Sequence, residues 1–268
     1  MERKIEMNLN TIHKGDCLDI MRNISDKSID MILCDLPYGT TACKWDIVIP
    51  FNPLWDNYLR VLKDNGAIIL FASQPFSTDL INSKRDWFRY ELIWEKNLWS
   101  NFLNAKRQFL RAHESILVFY KSQPTYNPQF LEFSESTKKR YKQGDRYVKS
   151  EYTNNGTVYN KKEKNDAYID FNRGRHPGSV LKFKCVHNGN NKRLHPSQKP
   201  VDLYEYLIKT YTNKGELVLD NCAGSGTSAI ASMRTGRNFI CIEKEDKYFE
   251  VMKSRIENEK YELFYPSY

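Results

Sequence analysis

ELVLDNCAGSGTSAIASMRTGRNFICIEKE, residues 216–245, divides by its own chemistry into strand, loop, helix and strand. An aliphatic run ends at Asp220, Gly224 and Gly226 open a loop, a helix begins near Thr227, and a second aliphatic run closes on Glu243. Glycines let a backbone approach a ligand closely, and an acid at the end of the second strand can bind paired ribose hydroxyls. By itself this unit leaves dinucleotide binding open. Two details argue for a different ligand. Ala229 stands where a G-x-G-x-x-G fingerprint has its third glycine. Asp220, just before the loop, would repel a pyrophosphate, whereas an adenosyl ligand bearing a sulfonium and an ammonium suits that carboxylate.

The same rhythm continues outward from this unit. TIHKG (11–15), IDMILCD (29–35), GAIILFAS (66–73), YELIWEK (90–96) and SILVFYK (115–121) read as strands. NPLWDNYLRVLK (52–63) and PFSTDLINSKRD (75–86) read as helices, the first with Leu54, Tyr58, Leu59 and Leu62 on one face. Downstream, Pro200 starts a helix over VDLYEYLIKTYT (201–212), and a charged helix runs from Asp246. Strands that are apolar throughout and alternate with helices predict an α/β fold, with a mostly parallel sheet of seven strands covered on both faces.

The middle differs. Residues 123–194 are polar, rich in Asn, Gly, Lys and Tyr, and read as a loop-rich insertion that could order on binding. The chain's net charge is +8, yet residues 121–195 alone hold 16 Lys/Arg against 7 Asp/Glu, so everything else sums to −1. A basic segment on a nearly neutral scaffold suits a polyanion, or is simply a solvated lysine-rich linker. Candidates for contact with such a partner, to a phosphate backbone or to base edges, are Arg140, Arg146, Arg173, Arg175 and Arg193, which spacing alone does not rank.

A chain of 268 residues, 40% of them hydrophobic, can bury one sizeable domain with an insertion. No apolar stretch approaches the ~20 residues of a membrane-spanning helix. MERKIEMNLN, at the start, is too charged for a signal peptide. Cys17, Cys34, Cys43, Cys185, Cys222 and Cys241 form no C-x-x-C pair, and the histidines lack ligand spacing. An intracellular compartment without a disulfide framework or metal site is the expectation.

DLPYG, residues 35–39, follows the apolar run IDMILC and could be a turn and nothing more. Taken in order with HPSQKP (195–200) and DNCAGSGT (220–227), it resembles the DNA amino-methyltransferases that use S-adenosylmethionine. The order matches the subclass whose catalytic motif precedes the target-recognition region, with the cofactor loop last. GDCLDIM (15–21), RAHESILVFYK (111–121) and FICIEKE (239–245) extend the likeness to all but the middle insertion.

The resemblance implies a methyltransferase-type, Rossmann-like sheet. Residues 1–122 would be its catalytic half, 123–194 the target-recognition insertion and 195–268 the cofactor-binding half. It implies S-adenosyl-L-methionine as cofactor, held by Asp16, His195, Ser197, Lys199, Asp220, Cys222, Ala223, Gly224, Ser225, Gly226, Thr227 and Glu243. Lys199 would face the cofactor's carboxylate; Asp16 would approach its amino group or, as a structural alternative, cap a helix. Double-stranded DNA is the implied partner, in the cytoplasm of a bacterium or a phage-infected cell. A homodimer and a cognate restriction endonuclease are compatible with the family.

The implied catalytic residues are Asp35, Leu36, Pro37 and Tyr38. An exocyclic amine is a poor nucleophile because its lone pair is delocalised into the ring. Accepting both of its N–H bonds, by the Asp35 carboxylate and the Leu36 carbonyl, turns the lone pair toward the methyl group. Pro37 would hold the turn, Gly39 permit its exit, and Tyr38 stack on a base rotated out of the duplex. The family usually has D-P-P-Y, with Leu36 here in the first proline's place, and often a phenylalanine where Cys222 stands. Asp35 tilts the target toward the N6 amine of adenine, since N4-cytosine members more often begin with serine. Protein-glutamine methylation, or a DNA-binding relic without activity, fits less well. Trp45 would cover the flipped base or pack on the sheet. His113 and Glu114 resemble a family segment near the target-base pocket; read independently, His113 would be a core histidine satisfied by Glu114.

Overall fold

The computed structural model describes residues 8–147, 167–168, 170–186 and 194–264, with 146, 147, 167, 168 and 264 described in backbone only. In chain order the elements are β1 (Thr11–Lys14), α1 (Cys17–Met21), β2 (Ile29–Asp35), α2 (Phe51–Val61), β3 (Leu62–Ala72), α3 (Phe76–Ser83), β4 (Phe88–Ser100) and β5 (Arg111–Phe119). After these come α4 (Glu135–Arg140), β6 (Arg146–Tyr147), β7 (Ala167–Tyr168), β8 (Val180–Phe183), α5 (Val201–Tyr211), β9 (Leu217–Asp220), α6 (Thr227–Thr235), β10 (Asn238–Glu243) and α7 (Asp246–Phe264). The chain forms two compact units, residues 1–127 with 179–268, and residues 128–178.

The first unit holds one sheet in the order β1-β10-β9-β2-β3-β5-β4-β8. Side chains of a strand alternate between faces, and β2 shows the consequence. Ile32 and Cys34 pack with Leu54 and Tyr58 of α2 and Leu80 of α3. Met31 and Leu33, between them, pack with Leu203, Leu207 and Ile208 of α5. A strand that must feed two cores is apolar at almost every position, which is why IDMILC reads as a continuous run.

β9 and β2 are parallel neighbours, with Met31 opposite Val218 and Ile32 opposite Leu219. From this pair the chain winds outward in opposite senses, through α2 to β3 and through α6 to β10. A crevice opens at the carboxyl ends of strands where winding reverses. Asp35 and Asp220 are the last residues of these two strands.

The sequence predicts seven mostly parallel strands; the sheet has eight and is mixed. β5 runs antiparallel to both β3 and β4. A short connection with no crossover helix can only join antiparallel neighbours, and residues 101–110 between β4 and β5 are such a connection. The eighth strand, β8, lies inside the polar 123–194 segment and pairs parallel with β4. Its four residues alternate exposed and buried at the sheet's edge, so no apolar run announces it.

In the second unit, Ser134 caps α4 by accepting the Thr137 amide at 3.3 Å. β6 pairs with β7, and Leu131 bridges Arg175. Arg173 lies over the Phe130 ring, and Arg175 Nε donates to the Glu132 carbonyl. Arg193 falls outside the described residues, as does the Arg146 side chain. Among the described residues no helix is long and apolar enough to cross a membrane, and no cluster of metal-ligating side chains occurs.

Candidate active site

A cavity of about 540 Å³ opens at the carboxyl ends of β2 and β9. Fifteen of the sixteen residues singled out from sequence line it, from Asp16 and the Asp35–Tyr38 turn to His195, Ser197, Lys199, the Asp220–Thr227 loop and Glu243. The exception is Gly226. It does not reach the cavity; its φ of +77° starts α6, and a Cβ there would meet Met252 Cγ at 2.6 Å. Helix packing, not ligand approach, requires this glycine. Gly224, with φ of +53°, is the glycine on the cavity wall, where a Cβ would come to 3.5 Å from the His195 ring.

Asp35 is gripped on both oxygens. Tyr38 donates its hydroxyl to Oδ1 at 2.7 Å, and Lys199 Nζ donates to Oδ2 at 2.5 Å. The Tyr38 ring stacks on Phe76 with centroids 5.1 Å apart. Lys199 also lies 3.2 Å from Glu114 Oε2, an ion-pair contact rather than an aligned hydrogen bond, and 5.1 Å from the Phe71 ring centroid. Lys96 bonds the other oxygen of Glu114. Two ammoniums and two carboxylates thus alternate in a buried row, where neither sign is left uncompensated. Burial pushes the Asp35 carboxyl above its usual range and the Glu114 charge adds to this, while Lys199 and Tyr38 oppose it. Burial also works against ionised Glu114, but its two lysines outweigh it and hold the carboxyl below its usual range.

Both carboxylates that Lys199 meets, Asp35 and Glu114, belong to the protein itself. His113 is not a core histidine. It is exposed, and Glu114 beside it on β5 is committed to lysines instead. Glu114 shares a face with the core residues Ile116 and Val118. A carboxylate continuing an apolar stripe is a local sequence signal for it, beside the likeness of RAHES to a family segment near the target-base pocket.

Asp16, Asp220, Glu243 and Glu245 line the other half of the cavity. Burial raises the Asp220 carboxyl to about 6, although it accepts the Cys222 amide at 3.1 Å. Burial raises Glu243 too; its oxygens accept the amides of Gly224 at 2.7 Å and Glu245 at 2.8 Å. Asp16 caps α1 by accepting the Leu18 amide at 3.0 Å and pairs with Lys244 at 3.1 Å. The capping alternative for Asp16 therefore holds, and its side chain still lines the cavity. Behind the loop, Arg255 of α7 donates to the Ser225 carbonyl at 3.1 Å and the Thr227 hydroxyl at 3.2 Å. Nothing in the spacing of α7 marks Arg255 for that task.

Trp45 packs on aromatic rings at the cavity rather than on the sheet. The Asp46 carboxylate ties the 39–46 loop by accepting the amides of Gly39, Thr40 and Thr41. Trp45 then packs on His195, centroids 5.2 Å apart, and edge-on to Tyr248 at 6.3 Å. Ser197 donates its amide to His195 Nδ1 at 3.2 Å. Trp45, His195 and Tyr248 wall the cavity beside Gly224.

The family model N6_N4_Mtase, described as DNA methylase, matches residues 29–254. The chain belongs to this DNA methylase family.

Among relatives of known name, the DNA methylase is 30% identical over 260 residues to the Type II methyltransferase M1.MboII of Moraxella bovis, covering 90% of this chain and 94% of that one. It is 28% identical over 256 residues to M.HpaI of Haemophilus parainfluenzae, covering 91% and 73%. Its fold is similar to that of M1.HpyAVI, solved as a complex with SAM (TM-score 0.59, 23% identity, 92% of this chain and 98% of that chain). It is also similar to that of the PvuII DNA methyltransferase described as cytosine-N4-specific (TM-score 0.61, 14% identity, 98% and 95%).

Proposed function

We propose that this DNA methylase transfers a methyl group from S-adenosyl-L-methionine to the N6 amine of an adenine rotated out of duplex DNA. One observation carries the reading: Asp35 and Asp220, at the ends of adjacent parallel strands, line one cavity. The donor set fits the cofactor's charge. Asp220, Asp16 and Glu243 present carboxylates to a ligand with cationic and ribose groups, and Gly224 leaves the wall bare between them. Cys222, Ala223, Ser225 and Thr227 shape that wall, and His195 and Ser197 close its side with Trp45. S-adenosylmethionine supplies an electrophilic methyl group when bound.

This chain's residues do the rest by placement. Each Asp35 oxygen has a lone pair beyond the one given to Tyr38 or Lys199, and so can accept an N–H of the amine. The Leu36 carbonyl accepts the second N–H, Pro37 stiffens the turn, and Tyr38, with one face on Phe76, gives the base its other face. Such preorganised acceptors are worth several kcal/mol in favourable sites. No strong base is needed first, because the amine becomes acidic only after it gains the methyl group; Asp35 then takes the proton.

Arg140, Arg173 and Arg175 of the second unit supply phosphate contacts, so duplex affinity falls steeply with salt. The Type II relatives support a place in restriction–modification, beside an endonuclease reading the same site. Incubation with labelled cofactor and unmethylated DNA, followed by digestion to nucleosides, tests the reading. Label in N6-methyladenine is expected; label in N4-methylcytosine would move the target to the other amine.

A further inference from the structure

β5 begins at Arg111, beyond the point where its pairing with Ala72 at the end of β3 stops, and Arg111 pairs with Ser100 of β4. The two strands thus carry their connection past the carboxyl edge of the sheet, where the cavity opens. Arg111 and Glu114 line that cavity. The connection is built unlike an ordinary hairpin tip. Trp99 is 62% exposed, Phe102 71%, Leu103 88% and Phe109 99%. Scattered exposed apolar residues need no explanation, but such a concentration marks a surface that meets a partner. The same segment is cationic: Lys106, Arg107 and Arg111 lie within a run, residues 96–113, that contains no acidic residue.

A two-fold contact with a second copy would set this patch against itself, cation facing cation. Duplex DNA complements both features, with phosphates for the cations and base faces for the aromatic rings. Rotating a base out of a duplex leaves the faces of its neighbours unstacked, at a cost of a few kcal/mol. An aromatic side chain that enters the gap recovers part of it.

We propose that segment 97–110 is the element that enters duplex DNA beside the target base, with Arg107 and Lys106 on phosphates and Phe109, supported by Trp99, against the vacated stack. This rests on the reading of the chain as a methyltransferase acting on duplex DNA. Both aromatic side chains are exposed and lie outside the cavity lining, so replacing them leaves the core and the reaction site intact.

The test uses two duplexes of the methylated sequence, found by sequencing the wild-type product. In one the target base is paired; in the other it faces an abasic position and is already free. The Trp99→Ala/Phe109→Ala protein should lose roughly tenfold in transfer rate on the paired duplex and remain within about twofold of wild type on the abasic one. Arg107→Ala should weaken binding to both and flatten the salt dependence. Equal rates for variant and wild type on the paired duplex, or an equal loss on both duplexes, would overturn the role of the tip. So would loss of a dimer by sedimentation that accounts for the lost rate. Wild-type protein that leaves no methylated base in unmethylated duplex DNA, and so no site to sequence, would instead overturn the functional reading, and this proposal with it.

Discussion

Lys199 Nζ lies 2.5 Å from Asp35 Oδ2, although 164 positions separate the two residues. The contact joins the turn after β2 to the segment entering α5, so the two halves of the chain are locked together at the proposed reacting group. It also sets that group's charge. Asp35 accepts an N–H best, and can take up a proton, when ionised, and burial together with the Glu114 charge disfavours the ion. Lys199 is the cation that directly offsets this.

Replacing Lys199 by Met should therefore shift the acid limb of the transfer rate to higher pH. The folded-state pKa of Asp35 is already raised, so activity grows as pH climbs through it; removing the ammonium raises it further. Single-turnover rates across roughly pH 5 to 9 measure the limb. Lys199→Arg should keep it near its wild-type place. An unmoved limb in Lys199→Met would mean that Asp35 does not depend on this ion pair. The Met variant should also lose ~3 kcal/mol of stability, because a buried carboxylate is left short of a partner.

Asp220 predicts a trade between stability and binding. Its carboxyl rises from 3.8 to about 6 on folding, so the folded chain holds the proton more tightly. That contribution is complete below the unfolded value, fades as pH rises to about 6, and leaves a penalty of about 3 kcal/mol above it. Asp220→Asn should thus melt at higher temperature than wild type at pH ~8, with the gap closing toward pH ~4. Calorimetry should show weaker binding of S-adenosylmethionine by the same variant. Equal affinity would remove Asp220 from the cofactor site.

Gly226→Ala should destabilise by ~2 kcal/mol, from a left-handed φ and from overpacking against Met252. Met252→Ala in the same chain should cost less than it does in the wild type, since it vacates the space the new Cβ needs. Strict additivity of the two changes in denaturant unfolding would contradict this packing account.

Trp45→Ala should speed dissociation of S-adenosylmethionine roughly tenfold, by opening the aromatic wall over His195 and Tyr248. Stopped-flow displacement measures it. If the indole covered the flipped base instead, cofactor release would be unchanged and only transfer would suffer.

Sequence patterning carried much of this fold, for identifiable reasons. β2 spans IDMILCD as read, because both of its faces are buried and all positions but Asp30 and the terminal Asp35 are apolar. The glycine loop and the two acids that flank it were legible because a tight strand–helix turn leaves few choices of residue. Strand direction was not legible: β5 is apolar like the parallel strands of the sheet, and only the shortness of the 101–110 connection betrays its reversal. β8 is too short and too exposed to leave a pattern. Gly224 and Gly226 look alike in sequence, yet one faces the cavity and the other faces Met252. The lysine–carboxylate row joins residues from four separate places in the chain, and no local pattern encodes such a meeting.

The central claim is that the Asp35 turn reacts with what the Asp220 loop holds. Asp35→Ala protein, loaded with cofactor labelled in its methyl group and mixed with unmethylated DNA, tests it in one measurement. The predicted result is cofactor bound at near wild-type affinity with no label passing to DNA. Label reaching DNA at the wild-type rate would contradict the claim.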